Sequence, residues 1–438
     1  MTRPGGPVPG CPGIAGSGGH GEVAGSAGVC RLCDHLGVSE IPSVEELRRV
    51  GVQAGLDDLG FTTAEPLVEA RVAIEERKQA GLHGGMWFTY GRPDRSTDPG
   101  RILPGARSIV VGARRYHRRD DPSPEANQAR VARYVYRREY EHLARALEAV
   151  AGEIRRRGWR AEVVLDDNRL VDRAVAYRAG MGWLAKNTNL ISERLGSWLV
   201  LGSVVTDCPL DTEAELRPDG CGPCNRCRTA CPTGALDTAG VLDARRCLAW
   251  LVQAGGTFPV QFREALGDRL YGCDICQEVC PVNTRTMSPD ERAETGVGGE
   301  GRRAVTGGTG RATVGEIEGG SPHPDVLALL AMSDEELMES FGHWYIPRRR
   351  PEYLRRNALV VLGNIGDPSD PATESILIEC LNHETAVVRA HAVWAVRRLG
   401  LDHLFPRCAM DPTAELDPEV RAEFESEVRP RIGQDGRP

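Results

Sequence analysis

Fourteen cysteines occur in this 438-residue chain, and eight of them fall between Cys221 and Cys280. The run Cys221-Gly-Pro-Cys224-Asn-Arg-Cys227-Arg-Thr-Ala-Cys231-Pro232 has the Cys-x2-Cys-x2-Cys-x3-Cys-Pro spacing by which proteins hold [4Fe-4S] clusters. Three thiolates two residues apart wrap one face of a cubane in a tight loop, while the fourth, followed by a chain-turning proline, points to a neighbouring cluster. A second motif is present in altered form: Cys247, then, across a long insertion, Cys273-Asp-Ile-Cys276-Gln-Glu-Val-Cys280-Pro281. Crossing over gives Cys221, Cys224, Cys227 and Cys280 to one cluster and Cys231, Cys247, Cys273 and Cys276 to the other. Structural zinc also accepts four thiolates, but two interleaved motifs that each end in Cys-Pro do not read as separate zinc sites. Two adjacent clusters carry electrons, so the chemistry they serve belongs to another part of the chain. The isolated Cys11, Cys208, Cys380 and Cys408 read as small hydrophobes or surface thiols. The pair Cys30 and Cys33 has no second pair to complete a metal site.

The elements around this segment follow from composition and periodicity. Residues 1–42 are rich in Gly and Pro and predict a disordered tail. From 43 to 207 helical and strand signals alternate, predicting an α/β domain: an amphipathic stretch at 67–81, a strand at 108–112, a helix within 133–157, and strands at 161–165 and 198–205. Residues 208–294 form the cluster domain. Residues 295–323 have a Gly-rich linker composition that cannot repay the entropy of ordering. Beyond it, Leu354-Arg-Arg-Asn-Ala-Leu-Val-Val-Leu-Gly363 is echoed by Val388-Arg-Ala-His-Ala-Val-Trp-Ala-Val396, with a helix at 372–381 between them. Paired helices at this interval predict HEAT-like repeats over 324–405 that dock on the rest of the protein, followed by a C-terminal tail at 406–438.

Net charge is −8, so contact with nucleic acid needs a local basic patch. No stretch reaches the roughly 18 apolar residues of a membrane span, and the first thirty residues hold no apolar core of a secretory signal. A cytoplasmic protein without a membrane partner is expected, acting as a monomer and drawing on an external electron donor. The stretch Trp344-Tyr345-Ile-Pro-Arg348-Arg349-Arg350-Pro-Glu-Tyr353-Leu-Arg355-Arg356 mixes cations with aromatics, a combination suited to phosphate and unpaired bases. A solvated helix start paired with neighbouring acids would leave the same pattern.

Upstream of the cysteines the chain reads Leu165-Asp166-Asp-Asn-Arg-Leu-Val-Asp172-Arg173-Ala, then Gly180-Met-Gly182-Trp183-Leu-Ala-Lys186-Asn187-Thr-Asn-Leu-Ile-Ser192 and Gly196-Ser197-Trp198. Together with Cys-Pro-Thr-Gly-Ala-Leu, Tyr-Gly-Cys-Asp-x-Cys-Gln-x-Val-Cys-Pro and the earlier Gly81-Leu-His83-Gly84-Gly-Met86, this resembles the epoxyqueuosine reductase family, cobalamin-dependent iron–sulfur enzymes of tRNA modification. The resemblance implies an α/β cobalamin-binding domain, a ferredoxin-like double [4Fe-4S] domain and C-terminal α-helical HEAT-like repeats. It also implies cobalamin reduced through two clusters and an epoxide on a tRNA anticodon stem-loop as substrate. It gives Asp166 the role of proton-donating acid, a task that suits a partly desolvated carboxyl. Arg133, Arg173, Lys186, Asn187, Ser192, Ser197 and Trp198 become candidates to line the corrin or its tail, and Arg348, Arg349, Arg350, Arg355 and Arg356 candidates for tRNA. The chain departs from the family at Arg169, where a proline is usual, at Glu139-Tyr140-Glu141 with His142 one place late, and at Ala185. Two other readings stay open: a corrinoid iron–sulfur reductase of a different small substrate, similar to reductive dehalogenases, and a non-catalytic iron–sulfur electron carrier.

Overall fold

Four strands make the central sheet. Asp58–Thr63, Ser108–Arg115, Leu199–Thr206 and Ala161–Leu165 lie side by side in that order, and each neighbouring pair is antiparallel. The computed structural model describes residues 40–117, 128–212, 214–286, 322–408 and 415–431. Cys11, Cys30 and Cys33, and all but the last residues of both the predicted 1–42 tail and the 295–323 linker, lie outside them.

The strands alternate their side chains between two faces. Val110 and Val204 join the core formed with Leu143, Leu147, Val150 and Ile154 of the helix Glu139–Arg156. Ile109, Val111 and Val205 face the opposite way, toward Val175, Ala176 and Met181. The helix Glu139–Arg156 approaches closely because Gly112 and Gly202 are register partners: a Cβ on either would come within 2.8 Å of a Leu147 methyl. The expected α/β domain is therefore corrected to an antiparallel sheet with helices on both faces. Alternating helix and strand periodicities do not fix strand direction, and the long connection from 64 to 107 returns the chain antiparallel.

The cysteine segment and the C-terminal helices share one core. Phe258, Leu266 and Leu270 pack in the same cluster as Leu359, Val360, Val393 and Trp394. Helices Glu352–Ile365 and Ala386–Leu399 sit against each other where Gly363 admits the Trp394 ring; a Cβ there would lie 2.5 Å from it. The 406–438 segment, expected as a tail, carries a helix at Pro418–Glu425 whose Val420 is fully buried. Asp417 caps it, accepting from the backbone N–H groups of Glu419 and Val420.

That helix is fastened by a buried ion pair. Arg263, with no solvent exposure, donates to both carboxylate oxygens of Glu423 at 2.7 and 2.5 Å. Removing one partner strands the other charge in the interior. Glu423→Ala is expected to cost about 3–5 kcal/mol, read as a fall in denaturation midpoint, whereas a change under about 1 kcal/mol would show the pair to be ordinary surface chemistry. Among the described residues no helix is long and apolar enough to cross a membrane.

Candidate active site and cluster-binding segment

The cysteine loops are short turns and helices, Arg226–Ala230, Leu248–Leu251 and Ile275–Glu278. Burial, and then Cys221, Cys280 and Cys224, push the Cys227 thiol up. Burial followed by Cys273, Cys247, Asp274 and Cys227 does the same to Cys276, well above its usual range. Burial raises Cys247, with Cys231 adding to it, and takes Cys273 to about 12. Electrostatic neighbourhood thus separates Cys221, Cys224, Cys227 and Cys280 from Cys231, Cys247, Cys273 and Cys276, with Cys227 and Cys276 adjoining across the divide.

Buried thiols that oppose one another's ionisation gain a reason to ionise when iron supplies positive charge. Backbone N–H groups already favour the thiolates: Ile275 at Cys273, Trp250 and Ala249 at Cys247, Lys186 at Cys221 and Arg228 at Cys227. Among the described residues no three His, Cys, Asp or Glu gather tightly enough for a single metal ion. A cubane presents a separate iron to each cysteine, so its ligands stand wider apart. Cys208, Cys380 and Cys408 are buried free thiols away from these sets.

Several residues expected to line a corrin instead join the sheet domain to the cysteine loops. The Lys186 ammonium donates to the carbonyls of Gly222 at 2.6 Å and Cys224 at 3.0 Å. The Asn187 amide donates to the Cys276 carbonyl at 3.3 Å. The Ser197 N–H donates to Asn283 Oδ1 at 2.7 Å, and its hydroxyl to Gln277. Arg133 pairs with Glu278 at 2.8 Å, its backbone N–H donates to Asp274, and its guanidinium lies over the Trp198 ring. Asn187, Ser192, Ser197 and Trp198 are all buried, leaving little surface for a cofactor. Sequence spacing marked these residues; it could not say that Lys186, Asn187 and Ser197 are hydrogen-bonded to the cysteine segment. Arg173 differs: exposed, it donates to the Thr188 carbonyl at 2.9 Å and acts electrostatically on Asp172, Tyr140, Tyr90 and Cys247.

Asp166 sits at the end of the strand Ala161–Leu165 in a left-handed conformation, φ 45°. Burial, then the neighbouring Asp167, raises its carboxyl above the ordinary range. Arg169, at the position where a proline is usual, does not enter this pocket. Its N–H and guanidinium hold Asp167 at 2.8 and 2.6 Å, which fixes the loop. Tyr140 is raised first by burial and then by Asp166 and Asp172, and Tyr134 and Tyr271 sense Asp166 as well. A group missed in the sequence is Asp172, whose buried Oδ1 has no hydrogen-bond partner among the described residues. Burial pushes its carboxyl to about 8, against the pull of Arg173. The signal was its place six residues after Asp166, but only the fold shows that it is buried.

Asp172 has a pH signature. The unfolded chain releases this proton near pH 4, whereas the folded protein keeps it to about 8. The folded state therefore binds more protons in that window, and stability falls as pH rises through it. Asp172→Asn is expected to shrink the drop in Tm between pH 5 and pH 8; an unchanged drop would show that Asp172 is ionised in the native state.

The expected arginine patch divides. Arg355 and Arg356 are corrected from tRNA contacts to structural residues. Arg355 is 5% exposed and pairs with Asp334; Arg356, 1% exposed, donates to the carbonyls of Ala254, Gly256, Leu251 and Val252. Both are buried on the helix Glu352–Ile365, and Arg356 there supplies donors to carbonyls of the cysteine segment. Arg348, Arg349 and Arg350 are exposed, the last paired with Glu352.

Cysteines that raise one another's thiols in two groups, together with the desolvated carboxyls of Asp166 and Asp172, are the equipment of an iron–sulfur oxidoreductase. Residues 220–283 match a family model described as a 4Fe-4S double cluster binding domain, and residues 96–167 one described as Epoxyqueuosine reductase QueG, DUF1730. The chain is 32% identical to the epoxyqueuosine reductase of Lactococcus garvieae over 374 residues, covering 82% of this chain and 97% of that one. It is also 32% identical to that of Xanthomonas campestris over 377 residues, covering 81% and 96%. A crystal structure of epoxyqueuosine reductase with a tRNA-Tyr epoxyqueuosine-modified tRNA stem loop superposes with a TM-score of 0.73 at 29% identity, covering 87% of this chain and 96% of that one. The Streptococcus thermophilus enzyme gives 0.70 at 26%, covering 87% and 97%. The chain belongs to the epoxyqueuosine reductase family.

Proposed function

We propose that this chain reduces epoxyqueuosine to queuosine in tRNA, with two [4Fe-4S] clusters and cobalamin as its cofactors. The observation that carries the reading is the junction at Arg173, one cation acting on both the acid Asp172 and the cluster cysteine Cys247. Converting an epoxide to an alkene consumes two electrons and two protons and releases water, so electron and proton sources must meet. Cysteines 221, 224, 227 and 280 hold one cluster, and cysteines 231, 247, 273 and 276 the other. Cobalamin, when bound, supplies the reducing centre. The orphaned Asp172 Oδ1 and the exposed Arg173 fit a polar group seated beside the acid pocket. Asp166 holds the proton for the substrate oxygen. Its raised carboxyl stays partly protonated at pH values where a solvated aspartate would not.

The sheet domain, residues 43–207, is the cobalamin-binding part, and the HEAT-like helices after 324 brace the cluster segment from behind. Arg348, Arg349 and Arg350 face the RNA phosphates. The test is anaerobic purification with cobalamin supplied, followed by reductant and an epoxyqueuosine stem loop. About eight irons, one cobalt and a product lighter by one oxygen are expected. Eight irons without cobalt or product would instead support an electron carrier.

A further inference from the structure

The helix Trp87–Tyr90 and the turn 343–350, far apart in sequence, meet through Phe88. Its ring lies 5.8 Å from both Trp250 and Tyr345, edge-on to each. Phe88 is thereby held between the cysteine segment and the C-terminal helices. On either side of it, large aromatic surface faces solvent: Trp87 is 70% exposed and Tyr345 50%. Both are fixed rather than trailing. Trp87 folds over Gly91, where a Cβ would lie 2.8 Å from the indole, and the Tyr345 backbone is held by N–H donation to the Tyr271 hydroxyl at 2.9 Å. Ordered aromatic rings left in water mark a surface built for contact.

The charge around the rings is of one sign. Neither His83–Arg92 nor His343–Arg350 contains an acid, while Arg92, Arg348, Arg349 and Arg350 are exposed cations. Arg348 and Arg349 are consecutive left-handed residues, φ 51° and 54°, a backbone cost at an exposed turn, and the Arg349 guanidinium donates to the Gly342 carbonyl at 3.0 Å. Among the described residues Arg348 makes no hydrogen bond or ion pair, so its guanidinium is free for a ligand. Fixed aromatic faces beside exposed cations, of which, among the described residues, Arg350 alone is paired, with Glu352, suit unpaired bases on a phosphate backbone better than an apolar protein surface.

We infer that Trp87 and Tyr345, buttressed by Phe88, form a stacking platform for unpaired bases of the RNA loop, with Arg348 and Arg349 on the adjoining phosphates. This rests on the tRNA reading above and adds to it the residues that position the loop. Stacking releases no counterions, whereas each lost phosphate contact flattens the salt dependence.

The test is equilibrium binding of an anticodon stem loop to the iron-loaded protein across a salt series. Trp87→Ala and Tyr345→Ala are each expected to weaken binding roughly 5- to 150-fold at every salt concentration, with the slope of log affinity against log salt unchanged. Trp87→Phe should recover most of the affinity, and Arg348→Ala should flatten the slope. Iron content and the thermal transition, unaltered because both rings are exposed, check folding. Wild-type binding with both alanine variants binding equally well would overturn the platform and leave the tRNA reading intact. A wild-type protein that binds the stem loop no better than an unrelated hairpin would overturn both.

Discussion

Asp166→Asn is expected to lower turnover of the epoxyqueuosine stem loop by roughly 10²- to 10⁴-fold, the span of a lost general acid, with iron content and stem-loop affinity unchanged. Asparagine is chosen for a backbone reason. The residue occupies φ 45°, and Asp and Asn are the side chains that visit the left-handed region most readily, so the loop keeps its shape while the transferable proton is lost. Alanine would add backbone strain and blur the result. The neighbouring groups differ from it: Asp167 is ion-paired to Arg169, and the Asp172 Oδ1 is buried whereas Asp166 is exposed. Single-turnover measurement with prereduced enzyme separates this loss from electron supply. A variant turning over within about threefold of the parent would remove Asp166 from the proton-donating role and direct attention to Tyr140, which shares the pocket.

What was legible in the sequence was whatever local spacing determines. Cysteine spacing marked the thiols, because a cubane loop is a local structure. Periodicity placed the helices Pro371–Leu381 and Ala386–Leu399 and the strand Ala161–Leu165 closely. Direction and burial were not legible, since both depend on partners remote in the chain. The sheet proved antiparallel, a direction that neither periodicity nor connection length determines. Arg355 and Arg356, neighbours in a basic run, both turn inward: Arg356 donates to the carbonyls at 251, 252, 254 and 256, and Arg355 to Asp334 and the Met332 carbonyl. Lys186 carries a family motif yet serves the loop at Gly222 and Cys224. Trp87 stood in a stretch with no metal or acid chemistry, and only its meeting with Tyr345 through Phe88 gives it a role.

Electron delivery should fail as sharply as proton delivery, in a way that a single cysteine reveals. Cys276 feels Cys273 and Cys247 of its own set and Cys227 of the other, so in the proposed assignment it stands between the two clusters. Asn187, reaching the Cys276 carbonyl from the sheet domain, fixes that loop to the acid side of the molecule. Cys276→Ala removes a ligand without adding bulk. The expected result is loss of about four of roughly eight irons, turnover reduced to background and stem-loop binding retained, because the arginines and aromatics stand on other elements. Cys208→Ala is the control: a lone buried thiol, raised to about 11 by burial, whose loss should leave iron and turnover alone. Full iron content in the Cys276 variant would break the proposed assignment of cysteines to clusters. Lost iron with undiminished turnover would show that one cluster suffices, and that the second serves the fold rather than the electron path.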